Sequence, residues 1–236
     1  MAEPHRICYF VPGALSAHPD GASEAERRQA YLQRHVRAGV NVVLRDNPDG
    51  PTSVESAEDE RRAAAAMLAT FPSAVADDDA VIIGCFGDPG LREANALLDA
   101  PVIGPAAASL HLAAQLGSRI GLITVVADVI PILDDLVADY GLESRVRAIT
   151  AVEVPVLELR KKRAAVLARM VERGGELADS GADVLVLGCM TMGFLDVAEE
   201  LTEELGVPVV NPVLASLRTA EALLGLGRVK TLTTTG

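Results

Sequence analysis

Short runs of apolar residues alternate along the chain with longer segments in which apolar residues recur at helical spacing. Most of the short runs are continuously apolar, as in buried strands that are covered on both faces. This alternation predicts an α/β fold with parallel sheets. The predicted strands are residues 7–11, 40–45, 80–84, 102–103, 120–125, 147–152, 184–188 and 207–210, and the predicted helices are residues 23–38, 58–71, 92–98, 106–116, 129–139, 159–180, 195–205 and 214–224.

The two halves of the sequence match each other at three places. RICYF (6–10) aligns with RIGLI (119–123), AVIIGCFGDPGL (80–91) aligns with VLVLGCMTMGFL (184–195), and APVIGP (100–105) aligns with VPVVNP (207–212). Because the matches come in the same order, they indicate two copies of one α/β unit. We therefore expect two pseudo-symmetric lobes, each a mainly parallel sheet flanked by helices, with the active site in the cleft between them.

Composition narrows the classes of partner. Half of the 236 residues are hydrophobic and the mean hydropathy is +0.28, so the chain can bury a sizeable core. The net charge of −12 disfavours binding to nucleic acid or to anionic membrane surfaces. Aromatic residues make up only 3% of the chain, which disfavours a stacking platform for bases.

Targeting and metal signals are absent from the sequence. Residues 1–11 lack the basic start and apolar core of a signal peptide, and no apolar run is long enough for a spanning helix. The three cysteines form no CxxC pair, and the four histidines have no metal-ligand spacing. The expected setting is a reducing cytoplasm, with thiols and no bound metal.

Cys85 and Cys189 occupy equivalent positions in the two copies. Each follows a glycine at the end of a buried strand and precedes residues that open a helix. Ligands of α/β sheets bind at the carboxyl ends of the strands, where backbone N–H groups and the helix dipole favour a negative charge. Such a position can stabilise a thiolate. The alternative is that both cysteines are ordinary buried residues at strand ends. Cys8, which lies within the first strand, is predicted to belong to the core.

Two thiols related by a pseudo-dyad suit one kind of reaction. Removing a proton from one face of a carbon and returning one to the other face requires a base and an acid on opposite sides. A thiolate and a thiol on facing lobes would supply both, without a cofactor if the carbon is already acidic. The residues thus predict racemisation or epimerisation of a small-molecule substrate.

The chain also resembles the aspartate/glutamate/hydantoin racemase superfamily, and within it the hydantoin and allantoin racemase branch. The resemblance runs through GPTSVES (50–56), IIGCFGDPGLREA (82–94), APVIGPAAASLHLA (100–113) and RIGLIT (119–124). It continues through YGLESRVRAITAVEVPVLEL (140–159), GADVLVLGCMTM (181–192) and GVPVVNPV (206–213). The segment after Cys85 and the second Gly-Cys pair are its most specific parts.

The resemblance implies a cofactor-independent enzyme with Cys85 and Cys189 as catalytic residues. It implies that the C-terminal helix returns to the first lobe, which gives a first lobe of residues 1–104 plus 213–236 and a second lobe of residues 105–212. It also implies assembly as a homo-oligomer.

Further residues are candidates for binding the substrate. Phe86 and Met190 follow the two cysteines and are expected to wall the site, with core packing as the alternative. Backbone amides near Gly87 and Thr191 are expected to stabilise a developing oxyanion. Thr124 could offer a hydroxyl at the end of its strand, or bond only to nearby backbone. Ser53 could donate to a substrate carbonyl, or cap the helix that follows.

Some positions depart from the pattern of the family. Where the family carries an Asn-Pro-Asn-Ser/Thr loop after the first strand, this chain has Val11-Pro12-Gly13-Ala14, which keeps Pro12 but loses the polar side chains. The residues after Cys189 are bulkier than the family's Ala-Gly-Met, and Asn211 stands where Asp is frequent. His111, which the family shares, is interpreted as a buried histidine of the core. These departures indicate either a larger or less polar substrate, or an activity that has been lost or redirected.

Three functions fit these residues. The first is racemisation of a 5-substituted hydantoin or related ureide by the two thiols. The second is a maleate-isomerase-like cis–trans isomerisation, in which a cysteine attacks a double bond. The third is a non-catalytic binding or assembly protein on the same scaffold, which the loss of polar groups at residues 11–14 motivates.

Overall fold

The computed structural model describes residues 3–226. Within that range all eight predicted strands are present, and the prediction of an α/β fold is confirmed. The strands are β1 (His5–Val11), β2 (Val40–Asp46), β3 (Ala80–Ile83), β4 (Val102–Ile103), β5 (Ile120–Thr124), β6 (Val146–Ala151), β7 (Val184–Leu187) and β8 (Val209–Val210). The helices are α1 (Gly21–Arg34), α2 (Ala57–Ala74), α3 (Leu91–Leu97), α4 (Pro105–Leu116), α5 (Ile130–Asp139), α6 (Arg163–Asp179), α7 (Met190–Gly193), α8 (Ala198–Leu205) and α9 (Pro212–Gly225).

The described chain divides into two compact units. The first comprises residues 3–54, 58–104 and 216–226, and the second comprises residues 55–57 and 105–215. Residues 55–57 lie in the second unit, although the sequence placed them in the first lobe, because the carboxylate of Glu55 accepts a hydrogen bond from the Val156 N–H at 2.6 Å. Residues 227–236, which are assigned above to the first lobe, lie outside the described residues.

Each unit contains a four-stranded parallel sheet of the same topology. The strand order is β2-β1-β3-β4 in the first unit and β6-β5-β7-β8 in the second. The central strands β3 and β7 are apolar at every position and fully buried, because helices cover both faces of each sheet. The prediction of two similar α/β halves is confirmed by these matching topologies.

Equivalent backbone hydrogen bonds repeat in the two units. Where β3 ends, the Gly84 N–H donates to the Phe10 carbonyl at 2.6 Å. Where β7 ends, the Gly188 N–H donates to the Ile123 carbonyl at 2.7 Å. The carboxyl ends of the two central strands are therefore held against their neighbours in the same way.

The outer edge of β2 is covered by two glutamines of α1. The Gln29 side chain accepts from the Leu44 N–H at 2.7 Å and donates to the Val42 carbonyl at 2.6 Å. The Gln33 side chain accepts from the Val42 N–H at 3.0 Å and donates to the Val40 carbonyl at 3.1 Å. These amides take the hydrogen bonds that a further strand would otherwise take.

The C-terminal helix is fastened to the turn before β2. The Glu221 carboxylate, whose side chain is 2% exposed, accepts from the Arg37 N–H at 2.7 Å and forms ion pairs with Arg37 and Arg218. Arg218 also donates to the His35 carbonyl at 2.7 Å. These contacts connect residues near the start of the first unit to residues near its end.

Several helices are shorter than predicted, and α1 and α6 each lose four residues at one end. α1 ends at Arg34 instead of residue 38, where the His35 ring bonds to the Tyr31 carbonyl of the last turn at 2.8 Å. α6 begins at Arg163 instead of residue 159, after a 3₁₀ turn at Val156–Glu158. The basic residues before Arg163 are unfavourable at the positive end of a helix dipole, so they favour a start after them.

No helix within residues 3–226 is long and apolar enough to cross a membrane. The same residues contain no group of three or more His, Cys, Asp or Glu side chains placed to hold a metal ion.

Candidate active site

Cys85 lies immediately after the central strand of the first unit. Gly84, which precedes it, lies so close to β1 that an added Cβ would come within 3.1 Å of Val11 Cα and 2.8 Å of the Tyr9 ring. Only glycine fits there without a shift of the neighbouring strand. The Cys85 side chain is partly exposed and packs against the edge of the core that contains Phe10 and Met67.

A tight turn follows Cys85. The Asp88 N–H donates to the Cys85 carbonyl at 3.2 Å, and Asp88 has a positive φ of 49°. The backbone N–H groups of Phe86 and Gly87, in the middle of this turn, have no acceptor among residues 3–226. Successive N–H groups of this kind form a concavity that binds anions and polarised carbonyl oxygens.

Acidic side chains lie close to this turn. The Asp88 side chain is buried, with its carboxylate against Gly104 at the end of β4, where any larger residue would overlap it. The Glu60 carboxylate on α2 lies beside Gly87, 3.7 Å from where a Cβ would be. The buried Asp88 carboxylate therefore requires glycine at residue 104, whereas a Cβ on Gly87 would make only an ordinary contact with Glu60.

Cys189 holds the equivalent position in the second unit. It has an extended backbone and is the N-cap of α7, whose Gly193 N–H donates to the Cys189 carbonyl at 3.2 Å. The Met190 N–H has no acceptor in the described part of the chain. Cys189 is partly exposed, like Cys85, and is likewise followed by a backbone N–H without an acceptor among the described residues.

Thr124 ends β5 beside Gly188 and is fully buried. Its hydroxyl donates to the Gly188 carbonyl at 3.4 Å, directly before Cys189. The bond to backbone that the sequence offered as an alternative is therefore present. In the first unit the aligned residue is Val11, so the Gly84 carbonyl receives no such bond from that position.

Asn211 links the end of β8 to α7. Its side chain donates to the Gly193 carbonyl at 2.9 Å and accepts from the Val213 N–H at 2.9 Å, so it caps α9. A Cβ on Gly193 would overlap the Asn211 amide. Asn211 thus plays a packing and capping role that requires no ligand.

The loop after β1 is packed tightly against the loop after β2. Pro12 is buried, and a Cβ on Gly13 would lie 2.6 Å from the Pro51 carbonyl oxygen. The Ala14 N–H donates to that carbonyl at 3.0 Å. Ser53 is partly buried and makes no hydrogen bond to residues 3–226, so it does not cap α2. Its hydroxyl is available to a ligand.

The remaining predicted residues are largely buried. Phe86 is 4% exposed, Met190 is 3% exposed and Thr191 is 8% exposed. Gly87 is intermediate in exposure and lies in the turn described above.

Cys8 and His111 lie outside this set of residues. Cys8 is fully buried within β1, as predicted, and its burial raises the pKa of the thiol to about 12 even though the nearby Arg45 opposes the shift. The interpretation of His111 as a buried core residue is wrong. Its ring is exposed on α4 and bonds to the Ala107 carbonyl at 2.8 Å, because the apolar side of that helix is formed by other residues.

Sequence reasoning missed Gly13 and Asn47. Asn47 follows β2, is 1% exposed, and donates its N–H to the Val11 and Gly13 carbonyls at 3.1 and 3.3 Å. The turn residues of the segment Asn47-Pro48-Asp49-Gly50 were a signal for a structured loop. They did not indicate that this loop would hold the loop after β1.

Comparison with known proteins agrees with this architecture. Residues 21–220 match the family model of Asp/Glu/Hydantoin racemase. The chain is 38% identical over 204 residues to the hydantoin racemase of Rhizobium meliloti, covering 84% of this chain and 81% of that protein. It is 32% identical over 225 residues to the hydantoin racemase of Pseudomonas sp. (strain NS671), covering 94% of this chain and 87% of that protein.

The fold of the chain is also similar to that of a solved structure. The allantoin racemase from Klebsiella pneumoniae superposes with a TM-score of 0.84 at 29% identity, covering 98% of this chain and 91% of that one. With the duplicated sheets and the matched Gly-Cys strand ends, these similarities establish that the chain belongs to the Asp/Glu/hydantoin racemase family and is an isomerase of the racemase type.

Proposed function

We propose that the protein racemises a 5-substituted hydantoin or a related ureide without a cofactor, and that Cys85 and Cys189 carry the protons. One observation carries the proposal. Each thiol lies at the carboxyl end of a central strand, partly exposed, and is followed by backbone N–H groups that lack an acceptor among the described residues. This arrangement occurs twice, at aligned positions of a duplicated unit.

The reaction is a balanced exchange of protons. A thiolate takes the proton from C5 of the ring, and the electron pair of the broken C–H bond moves onto the adjacent carbonyl oxygen. The other thiol then donates its proton to the opposite face of C5. The product has inverted configuration, and the thiolate and the thiol have exchanged places. Nothing is oxidised or reduced.

The intermediate needs stabilisation where negative charge develops. The N–H groups of Phe86, Gly87 and Met190, which have no acceptor within residues 3–226, are fixed in place by the turns around the cysteines. Preorganised donors of this kind stabilise an oxyanion more than water does, because they need no reorganisation during the reaction. In this proposal they bind the enolate oxygen, and Ser53 and Thr191 contribute further polar contacts.

The choice of substrate is supported by the relatives and by the residues. Two curated relatives of the chain are named hydantoin racemases, and a structural neighbour is named an allantoin racemase. The loop Val11-Pro12-Gly13-Ala14 offers no charged or amide side chain for a free carboxylate. A neutral ring with carbonyl groups suits such a site better than a free amino acid.

The test is deuterium uptake at C5 in D₂O, followed together with loss of optical rotation. A general acid or base typically raises the rate of a reaction about 10²–10⁴-fold. We therefore expect Cys85→Ser and Cys189→Ser each to lose racemisation by at least about 100-fold. Each single variant should still exchange the proton of one enantiomer, and the two should differ in which enantiomer they exchange.

The double variant Cys85→Ser/Cys189→Ser should show no uptake above the enzyme-free rate, and Cys8→Ala serves as the control thiol variant. Uptake that persists in the double variant contradicts the proposal. A stable adduct of maleate on one cysteine, seen by intact mass in a protein that does not racemise hydantoins, would instead favour cis–trans isomerisation.

A further inference from the structure

A glycine and a polar side chain have exchanged places between the two units, next to the turns that follow the cysteines. In the first unit, the carboxylate of Asp88, in the turn after Cys85, occupies the space that a Cβ on Gly104 would take. In the second unit the residue aligned with Gly104 is Asn211, and its Oδ1 lies 2.6 Å from where a Cβ on Gly193 would be. In each unit one side chain therefore fills the gap between the turn after the cysteine and the end of the edge strand.

The Asn211 side chain holds the short helix that follows Cys189. Its Nδ2 donates to the Gly193 carbonyl at 2.9 Å, and the Gly193 N–H donates in turn to the Cys189 carbonyl at 3.2 Å. Its Oδ1 accepts from the Val213 N–H at 2.9 Å, so the nitrogen is the end of the amide that meets α7. This pair of bonds suits a neutral amide, because an ionised carboxylate could accept from Val213 but could not donate to Gly193.

The Asp88 carboxylate places a buried negative charge beside the turn of Cys85. The Asp88 N–H donates to the Cys85 carbonyl at 3.2 Å, and the Cα atoms at the two ends of such a turn lie within about 7 Å of each other. Asp88 is 5% exposed, and the Glu60 carboxylate of α2 lies beside Gly87 in the same turn. The next basic residue along the chain, Arg92 of α3, is exposed. A nearby like charge disfavours ionisation of a thiol, and a buried charge is screened little by water.

The surroundings of Cys189 hold no comparable charge. Among the described residues of the second unit, none with a charged side chain is buried. Arg169 of α6, Glu153 after β6 and Asp196 after α7 are exposed and differ in sign. The other elements next to β7, which are β5, β8, α4 and α7, contain no Asp, Glu, Lys or Arg. Cys189 therefore lies at the less negative of the two strand ends.

We propose that the free enzyme carries its thiolate on Cys189 and its thiol on Cys85, and that Asp88 and Asn211 are the positioning residues that set this order. The inference rests on the proposed function and adds to it the identity of the starting base. The charge of Asp88 keeps the proton on Cys85, and the neutral amide of Asn211 permits a negative charge on Cys189. The enantiomer whose C5 proton faces Cys189 is then the one that the free enzyme deprotonates directly.

The test compares the alkylation of the two thiols by iodoacetamide, because the thiolate is the form that reacts. Initial rates for Cys85 and Cys189 of the wild type are measured by peptide mass spectrometry over about pH 5–10, the range in which such thiols titrate. We expect the midpoint of the profile of Cys189 to lie at least about one pH unit below that of Cys85.

Two substitutions of equal size separate the effect of charge from that of structure. Asp88→Asn removes the charge and should lower the midpoint of Cys85 by about one pH unit. Asn211→Asp adds a carboxylate at the equivalent place and should raise the midpoint of Cys189 by about the same amount. The double variant Asp88→Asn/Asn211→Asp should reverse the order of the two thiols. A general loss of structure would instead move both midpoints towards the value of an unfolded chain.

Asn95→Asp is the matched control, since it adds a carboxylate in place of another amide that links a helix to an edge strand. The Asn95 side chain bonds to the Val102 N–H at 3.2 Å and to the Val102 carbonyl at 3.3 Å. Val102 pairs with Val81, four residues before Cys85, which is about 13 Å along the strand. The added charge should shift the two midpoints by less than about 0.3 pH units, because it lies more than a Debye length away.

The exchange of C5 protons in D₂O gives a second readout. Cys85→Ser keeps Cys189 as its base, so its rate of deuterium uptake should reach half of its maximum at a lower pH than that of Cys189→Ser. Equal midpoints for the two thiols of the wild type, or an unchanged Cys85 profile in Asp88→Asn, would overturn this inference and leave the proposed function standing. If the double variant Cys85→Ser/Cys189→Ser still exchanges C5 protons, the proposed function is wrong and this inference with it.

Discussion

At the scale of single residues, the three cysteine thiols lie in different environments. Cys8 is fully buried in β1 and packs with Phe10, Met67 and Phe71. Cys85 and Cys189 are partly exposed at strand ends. The positions within their strands predicted this difference, because a residue inside a central strand must face a covered side of the sheet.

Stability should depend on pH through Cys8. Burial raises its thiol pKa from 9.0 to about 12, so the folded protein keeps the proton that the unfolded chain loses above pH 9. The contribution of the Cys8 thiol to the free energy of unfolding is complete below pH 9, and it falls as the pH rises towards 12. At pH 10.5 the loss is about 2 kcal/mol.

Urea unfolding of the wild type and of Cys8→Ala at pH 8 and pH 10.5 measures this effect. Cys8→Ala lacks the thiol, so the stability advantage of the wild type should shrink by that amount at the higher pH. An advantage that is equal at the two pH values would show that Cys8 ionises normally in the folded state.

The candidate site was predictable only in part. The Gly-Cys strand ends can be read from the sequence because an apolar run must end before a residue can face solvent. Gly13 and Asn47 could not be found that way. Their packing depends on the contact between two loops that are distant in sequence.

At the scale of elements, strand positions were more predictable than helix ends. A buried strand is marked by its continuous apolar run, whereas a helix end depends on local hydrogen bonds. At α1, the bond between the His35 ring and the Tyr31 carbonyl decides the end. At α6, Glu158 forms ion pairs with Lys161 and Lys162 in the residues just before the helix starts.

Adjacent glycines of α6 should respond oppositely to substitution by alanine. A Cβ on Gly174 would lie 2.5 Å from a Leu205 methyl, whereas a Cβ on Gly175 meets nothing within 4 Å. We expect Gly175→Ala to stabilise the protein by about 0.5–1 kcal/mol through helix propensity. Gly174→Ala should destabilise it by about 1–2 kcal/mol through overpacking.

Chemical denaturation of the two variants and the wild type measures whether each substitution raises or lowers the free energy of unfolding. Each variant is the control for the other, since both make the same substitution in the same helix. Equal effects at the two positions would contradict the packing of α6 against α8.

At the scale of the whole molecule, the two units repeat one topology, and an outer sheet edge of the first unit is protected by side chains. In the first unit, the amides of Gln29 and Gln33 occupy the outer edge of β2. An unprotected parallel edge is a template for another chain. The net charge of −12 gives a second, weaker protection through repulsion between copies.

Replacing both glutamines should promote self-association. Gln29→Leu/Gln33→Leu keeps the size of the side chains but removes the four hydrogen bonds to β2, so the strand edge becomes available. We expect larger species in size-exclusion chromatography that increase with concentration and with salt. Gln115→Leu on α4, whose amide bonds only to the His111 carbonyl of its own helix, is the control and should elute as the wild type does. Identical elution of the double variant would show that the amides do not protect this edge.

The first unit is assembled from pieces that lie far apart along the chain. Its last segment contains Glu221 and Arg218. The Glu221 carboxylate accepts a hydrogen bond from the Arg37 N–H, and the Arg218 side chain donates one to the His35 carbonyl. On the ribosome, the second unit can be synthesised in full while the first still lacks this helix. The half of the protein that is translated first therefore cannot complete its own contacts until α9 has been synthesised.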